Sequence, residues 1–147
     1  MRASWLEAFV RLPAGDRSLL VRSILVLGAA RVTLWLLPLR VVRRLLARVA
    51  RSPAPGEITP ERIGWAIDLA RRIVPRATCL PQALAGEALL AYAGHPAELR
   101  IGVIKSGKRK LLEAHAWVES EGRIVVGDLP QGLTEYTFMP PLPGPRD

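Results

Sequence analysis

The sequence contains few of the residues that disulfide frameworks and zinc sites require. It has one cysteine and two histidines among 147 residues. These are too few for paired disulfides or for a Cys/His zinc site, so we expect a reducing compartment and no metal. A glycine-rich phosphate loop and an internal repeat are also missing from the sequence. We therefore predict that the protein needs no cofactor.

Long uncharged hydrophobic runs are missing as well, although half of the chain is apolar. The longest runs near the N-terminus, SILVLGAA and VTLWLLPL, are bounded by Arg22, Arg31 and Arg40. Both are shorter than the ~20 residues that span a bilayer, and no signal-peptide pattern precedes them. We expect a cytoplasmic protein and leave open a peripheral contact with the inner face of the membrane.

Positive charge is concentrated in the first half of the chain. Residues 1–72 hold 13 arginines and 5 acidic residues, whereas residues 73–147 hold 8 basic and 8 acidic residues. The arginines alternate with Leu and Val rather than with stacking aromatics, so we predict no nucleic-acid binding. The basic helices could pack on the rest of the chain, dock on a partner, or lie on an anionic membrane. We favour packing together with partner docking.

The apolar periodicity predicts helices first and strands afterwards. Region 1–56 is predicted to be basic and helical, with breaks at Pro13 and Pro38 and a proline-rich linker at its end. A helix follows Thr59 and Pro60, and another starts at Thr78 and ends at Gly94. This second helix places Cys79 in its first turn.

After Pro96 the pattern alternates with a period of two residues. Strands are predicted from about 99 to 103, 111 to 119 and 123 to 128, and LTEYTF could add a fourth. The tail 140–147 is too rich in proline to be more than extended chain. The fold class is therefore α+β, with a core over residues 57–139.

The stretch EAHAWVESEGRIVVGD, residues 113–128, holds the chemically informative hairpin. A loop of two or four residues between its strands would place His115 directly opposite Asp128, close enough for a hydrogen bond. A three-residue loop would put Asp128 on the other face, and the pair would then depend on a β-bulge.

Cys79 is the one thiol that this pair could activate. A helix dipole contributes only ~0.3 to 1 kcal/mol, so a thiol at a helix start also needs an imidazole to ionise. In this hypothesis Cys79 attacks a carbonyl, His115 moves the proton and Asp128 orients the ring, while the Cys79 backbone N–H forms part of an oxyanion hole. The alternatives are an inert core cysteine, a satisfied strand histidine and a turn aspartate.

Three further side chains have weaker assignments. Gln82 is a candidate oxyanion donor, with a solvated helix position as the alternative reading. Trp117 shares a strand face with His115, where it could contact substrate or form a wall of the core. His95 lies in a Gly-His-Pro turn and is predicted to be structural.

The stretch CLPQALAGEALLAYAGHPAELRIGV, followed by EAHAWVESEGRIVVGD, resembles the leader peptidases of lasso-peptide biosynthesis. These are transglutaminase-like cysteine peptidases related to microcin-processing proteins, and the resemblance extends upstream to LLPLRVVRRLLAR. It implies a papain/transglutaminase-like core in which the catalytic cysteine starts a helix packed on an antiparallel sheet. It gives Cys79, His115 and Asp128 the roles of nucleophile, base and orienting carboxylate.

The resemblance also implies a substrate and partners. The substrate would be a precursor peptide, from which the enzyme removes the leader. We see no winged-helix domain in the N-terminal half, so leader recognition is expected from a separate protein, and an ATP-dependent cyclase would use the product. The alternatives are an acyltransferase with the same triad, or a non-catalytic module that binds a membrane or a partner.

Overall fold

The computed structural model describes residues 2–49, 58–106, 111–129, 132–133, 136–140 and 142–144. Within them, helices precede an antiparallel sheet, which confirms the predicted α+β class. The helices are α1 (Arg2–Arg11), α2 (Ala14–Leu36), α3 (Leu39–Val49), α4 (Pro60–Ile73) and α5 (Cys79–Tyr92). The strands are β1 (Glu98–Ser106), β2 (Leu111–Ser120), β3 (Arg123–Val126) and β4 (Thr137–Phe138). The predicted linker at 52–58 and the predicted turn at 105–110 lie mostly outside the described residues.

The ends of α4 and α5 follow their local sequence signals. Thr59 caps α4, because its hydroxyl accepts a hydrogen bond from the Arg62 N–H at 3.3 Å, and Pro60 opens the helix. Thr78 occupies the N-cap position of α5 but makes no side-chain capping bond. Beyond the other end of α5, Gly94 has φ +81° and the His95 N–H bonds the Leu90 carbonyl at 2.8 Å. The predicted end of this helix is confirmed.

Helix α2 packs one face against α4 and α5. Its buried positions recur at helical spacing: Leu19, Leu20, Ser23, Val26, Leu27 and Ala30. The helix is long and apolar enough to cross a membrane, although a helix from a protein core passes the same test. The packing that was expected of the basic helices is thus present, since α3 also contacts α2 and α5.

The strand order is β3-β2-β1-β4. Leu99 opposes Val118 and Ile101 opposes Ala116, so these apolar side chains share the face that packs on α5. Helix α5 is buried along most of its length. The core therefore lies between α5 and one face of the sheet, with α2, α3 and α4 around the helix. The predicted fourth strand is confirmed only at Thr137–Phe138.

The β2–β3 hairpin begins as predicted and then departs from the predicted register. Its two-residue loop has φ +52° at Glu121 and φ +78° at Gly122, as a type I′ turn requires. Ser120 then pairs with Arg123, but a β-bulge makes Val118 pair with Val126. The extra residue moves the following chain along by one position, so the predicted direct opposition of His115 and Asp128 is wrong. Hydrophobic alternation does not reveal a bulge, because one inserted residue leaves the strand pattern on either side intact.

A buried ion pair that the sequence reading missed ties α3 to α5. The Arg43 guanidinium donates two hydrogen bonds to the Glu87 carboxylate, one of them 3.1 Å from Nε to Oε2, and both residues are buried. Arg43 Nη1 also donates to the Pro143 carbonyl at 2.6 Å. The described part of the tail, 142–144, is thereby fixed to the helices, and the Leu142 N–H bonds the Leu99 carbonyl at 3.3 Å.

Candidate active site

Cys79 is the first residue of α5, as the sequence predicts. Its side chain is half-buried and packs against the hydrophobic core between α5 and the sheet. Among the described residues, no hydrogen bond reaches its thiol. The first N–H groups of a helix have no partner within the helix, so the Cys79 and Leu80 amides at this end are available to hold negative charge.

Gln82 braces the loop that leads into Cys79. Its side-chain Nε2 donates to the Ala77 carbonyl at 2.6 Å, and its backbone N–H bonds the Thr78 carbonyl at 3.3 Å. The residue is half-buried, and its amide bonds the backbone, which differs from the alternative reading of a freely solvated helix position. The side-chain amide thus bonds the backbone two residues before Cys79. The role of Gln82 as an oxyanion donor stays a prediction.

His115 has a defined partner on the neighbouring chain. Its Nε2 lies 2.5 Å from the carbonyl oxygen of Gly127. Because a carbonyl only accepts hydrogen bonds, Nε2 must carry the proton in this contact. In the neutral ring Nδ1 is then the basic nitrogen. A backbone carbonyl, rather than a carboxylate, fixes the tautomer that a general base at Nδ1 needs.

Asp128 adjoins the residue that holds His115 but does not bond the ring. Its carboxylate is exposed, and Oδ1 accepts a hydrogen bond from the Leu129 N–H at 3.0 Å. This contact matches the alternative reading of Asp128 as a turn residue. The orienting role of its carboxylate therefore stays a prediction, whereas its position beside the His115 partner is a finding.

An aromatic wall supports the His115 ring. Trp117 is fully buried and stacks beside His115, with ring centroids 6.0 Å apart and planes 18° apart. The Tyr136 ring lies 6.0 Å from the His115 ring, and Phe138 meets Trp117 edge-on at 5.2 Å. The Trp117 indole N–H donates to Glu119 at 2.9 Å. Trp117 thus forms a wall of the fold, and its contact with substrate stays a prediction.

The His115 side chain lies on the face of the sheet opposite to the core that packs on α5. Ala116 and Val118, which alternate with His115 along β2, belong to the core that faces α5. Trp117 and His115 turn to the other face, where Gly102 approaches the Trp117 ring. The structure therefore brings His115 to Gly127, beside Asp128, but does not form the predicted thiol–imidazole hydrogen bond among the described residues.

Glycine is the only residue type that fits at position 127, whose carbonyl holds His115. Its φ is +94°, and a Cβ there would lie 2.8 Å from the Ala116 carbonyl oxygen and 2.8 Å from the Trp117 Cβ. Real Cβ atoms do not approach other atoms so closely, so any side chain would push this chain away from β2. The position of the carbonyl that orients His115 depends on this glycine.

Three of the cavities in the described part of the chain lie away from Cys79, His115 and Asp128. One of about 550 Å³ lies between α3 and residues 142–144, and one of about 620 Å³ lies between α4 and the β2–β3 hairpin. A third, of about 130 Å³, lies between α3 and α5.

Sequence reasoning missed Tyr136 and the Gly127 carbonyl as neighbours of His115. A glycine between a strand and an aspartate is a signal for close backbone approach, and it could have identified Gly127. Tyr136 carries no comparable signal, because it reaches His115 only through the pairing of β4 with β1. His95 has the structural role that was predicted, since its Nε2 donates to the Ile58 carbonyl at 2.6 Å.

A model of the transglutaminase-like superfamily matches residues 23–140, which include part of α2, the helices α3 to α5, and the sheet. The chain belongs to the transglutaminase-like superfamily. This superfamily includes cysteine peptidases and acyltransferases, so the match supports the predicted fold and the broad class of chemistry. No curated protein and no solved structure matches the chain.

Proposed function

We propose that this transglutaminase-like protein is a cysteine endopeptidase that removes the leader from a lasso-peptide precursor. One observation carries the proposal: within the superfamily domain, the only cysteine opens a buried helix, and the chain then supplies a histidine whose Nδ1 is left basic. Each of these features serves thiol chemistry.

The reaction needs only groups of this chain and water. His115 Nδ1 takes the proton of the Cys79 thiol, and the sulfur attacks the scissile carbonyl. The amides at the start of α5 hold the oxyanion, and the imidazolium gives its proton to the leaving amine, which departs with the core peptide. Water, deprotonated by His115, then attacks the thioester and releases the leader as a carboxylic acid.

Catalysis requires the sulfur and the ring to meet, and in the isolated chain no hydrogen bond joins them among the described residues. We propose that binding of the precursor and of a separate leader-recognition protein stabilises an arrangement in which His115 reaches the N-terminus of α5. A ligand that prefers a minor conformation increases its population. In that arrangement the Asp128 carboxylate, which is adjacent in the chain to Gly127, joins the Gly127 carbonyl in orienting the ring.

The test is a cleavage assay with purified components. Precursor, recognition protein and this chain are incubated together, and leader release is followed by mass spectrometry. Cys79→Ala and His115→Ala should abolish release, whereas His95→Gln, which changes the structural histidine, should leave residual cleavage that follows the amount of folded protein. Release by Cys79→Ala at the native rate would falsify the proposal. The freed amine of the core peptide is the group that an ATP-dependent cyclase would consume.

Acyl transfer is the second candidate, and the superfamily match is the observation that favours it. The same thioester would then be attacked by an amine instead of water. Adding a primary amine to the assay distinguishes the two reactions, because transfer gives a leader whose mass has increased by the amine with loss of water. A leader that ends only in a free acid supports hydrolysis. Absence of both products would favour a non-catalytic binding module.

A further inference from the structure

Exposed apolar side chains are concentrated near the N-terminus. Nine of the fifteen large hydrophobic side chains exposed in the described part of the chain lie between residues 5 and 37. We call this set the N-terminal apolar surface: Trp5, Leu6, Val10, Val21, Leu25, Val32, Trp35, Leu36 and Leu37. Trp35 is 86% exposed. Exposed apolar side chains concentrated in one region of a folded domain indicate a surface that binds something apolar.

On α2 these side chains form a continuous stripe. Val21, Leu25, Val32 and Leu36 recur at intervals of four, seven and four residues, so at ~100° per residue they fall within an arc of about 60°. The opposite face of α2 is buried against α4 and α5. Lipid cannot surround a helix that is packed in this way, although α2 is long and apolar enough to span a bilayer. Only its outer face is free to be covered.

Arginines border the apolar surface without acidic partners. Helical spacing places Arg17 and Arg31 along one side of the stripe, and both are half-buried. Seven arginines of α1 to α3 make no ion pair with any described residue: Arg11, Arg17, Arg22, Arg31, Arg40, Arg44 and Arg48. The described acidic residues of these helices are Glu7 and Asp16, and Asp16 is paired with Arg62. The N-terminal helices that carry the apolar surface are therefore strongly positive.

We propose that the N-terminal apolar surface lies on an anionic lipid bilayer, with α2 parallel to the membrane plane. The apolar stripe would enter the boundary between headgroups and acyl chains, and the arginines would extend to the phosphates. Trp5 and Trp35 would sit at the interface, where indole rings are favoured.

The experiment is flotation of the full chain with vesicles of phosphatidylcholine, with and without phosphatidylglycerol. The chain should float with the anionic vesicles, float less as salt is added, and bind neutral vesicles weakly. The double variant Leu25→Ser/Trp35→Ser should partition at least about tenfold less, because it removes two large side chains from the interface. The double variant Arg40→Glu/Arg44→Glu should lose the preference for anionic vesicles.

Leu112→Ser is the matched control, since Leu112 is 69% exposed on β2 and lies outside the N-terminal apolar surface. It should float as the native chain does. All the substituted side chains are exposed, and circular dichroism verifies that each variant is folded. Cys79→Ala should also float normally, which separates this inference from the proposed peptidase activity.

Four results would overturn the inference. The first is that the chain floats with neither kind of vesicle. The second is that the Leu112→Ser control loses as much flotation as Leu25→Ser/Trp35→Ser does. The third is a dimer in solution that Leu25→Ser/Trp35→Ser dissociates, because a second copy would then cover the surface. Loss of lipid-free leader cleavage in the same folded variant would likewise reassign the surface to a protein partner.

Discussion

Replacing Gly127 with alanine tests how the chain holds His115. Two costs combine at this position. A residue other than glycine at φ +94° is strained by about 1 to 3 kcal/mol, and a Cβ placed 2.8 Å from the Ala116 oxygen and the Trp117 Cβ adds an overpacking cost of about 1 to 3 kcal/mol. The expected destabilisation is therefore about 2 to 6 kcal/mol, which is large against a typical stability of ~5 to 15 kcal/mol.

Gly94→Ala provides the matched control. Gly94 has a similar φ of +81°, but a Cβ there would meet no atom within 4 Å. This variant should therefore show the backbone strain alone, about 1 to 3 kcal/mol. Urea unfolding of both variants, followed by circular dichroism, gives the difference that belongs to the steric contact. If Gly127→Ala is no less stable than Gly94→Ala, the close approach of Gly127 to β2 is wrong.

The same substitution should affect the proposed reaction. Moving the Gly127 carbonyl away from β2 removes the acceptor that fixes the His115 tautomer. We expect leader cleavage by Gly127→Ala to fall by more than its loss of folded protein explains, whereas cleavage by Gly94→Ala should follow the folded fraction. Equal specific activity of the two variants, per folded molecule, would contradict the role assigned to the carbonyl.

Three further predictions concern the buried ion pair, the aromatic wall and the carboxylate. Arg43→Ala should lower the free energy of unfolding by about 3 to 5 kcal/mol, because it leaves Glu87 buried and unpaired. The double variant Arg43→Met/Glu87→Leu should restore much of this loss, and urea unfolding measures both variants. Gly102→Ala should cost about 1 to 3 kcal/mol and change tryptophan fluorescence, since a Cβ would lie 3.0 Å from the Trp117 ring; an unchanged spectrum and midpoint would refute it. Asp128→Asn should leave stability within about 0.5 kcal/mol, because the side chain is exposed, yet slow leader cleavage on the order of 10²- to 10⁴-fold; native cleavage would remove Asp128 from the mechanism.

The β2–β3 hairpin shows where local reasoning succeeds and where it ends. The extent of β2 and the Glu121–Gly122 turn follow from local sequence, and both are present as predicted, although the burial of β2 does not alternate. The bulge at Val125 is not local, because that residue is held where its carbonyl oxygen lies against Gly64 of α4. Packing by a distant helix thus altered the register, and with it the partner of His115.

The Arg43–Glu87 pair is a second case in which the sequence indicates an interaction without identifying both of its residues. A carboxylate within the apolar helix α5 requires a partner, and the sequence offers many arginines that could supply one. Only the packing of α3 on α5 selects Arg43. The sequence indicates that such a partner is needed, and the fold decides which residue provides it.

Composition, periodicity and capping signals were sufficient to determine that this chain is an α+β protein with Cys79 at the start of a helix and His115 on a strand. These features depend on interactions within a few residues, where local preferences act directly. The tertiary structure alone decided that His115 is held by the Gly127 carbonyl, that no hydrogen bond joins the Cys79 thiol to the His115 ring among the described residues, and that one face of α2 stays exposed. Each of those outcomes depends on contacts between elements distant in the chain, and such contacts are set by how whole surfaces pack rather than by any short stretch of sequence.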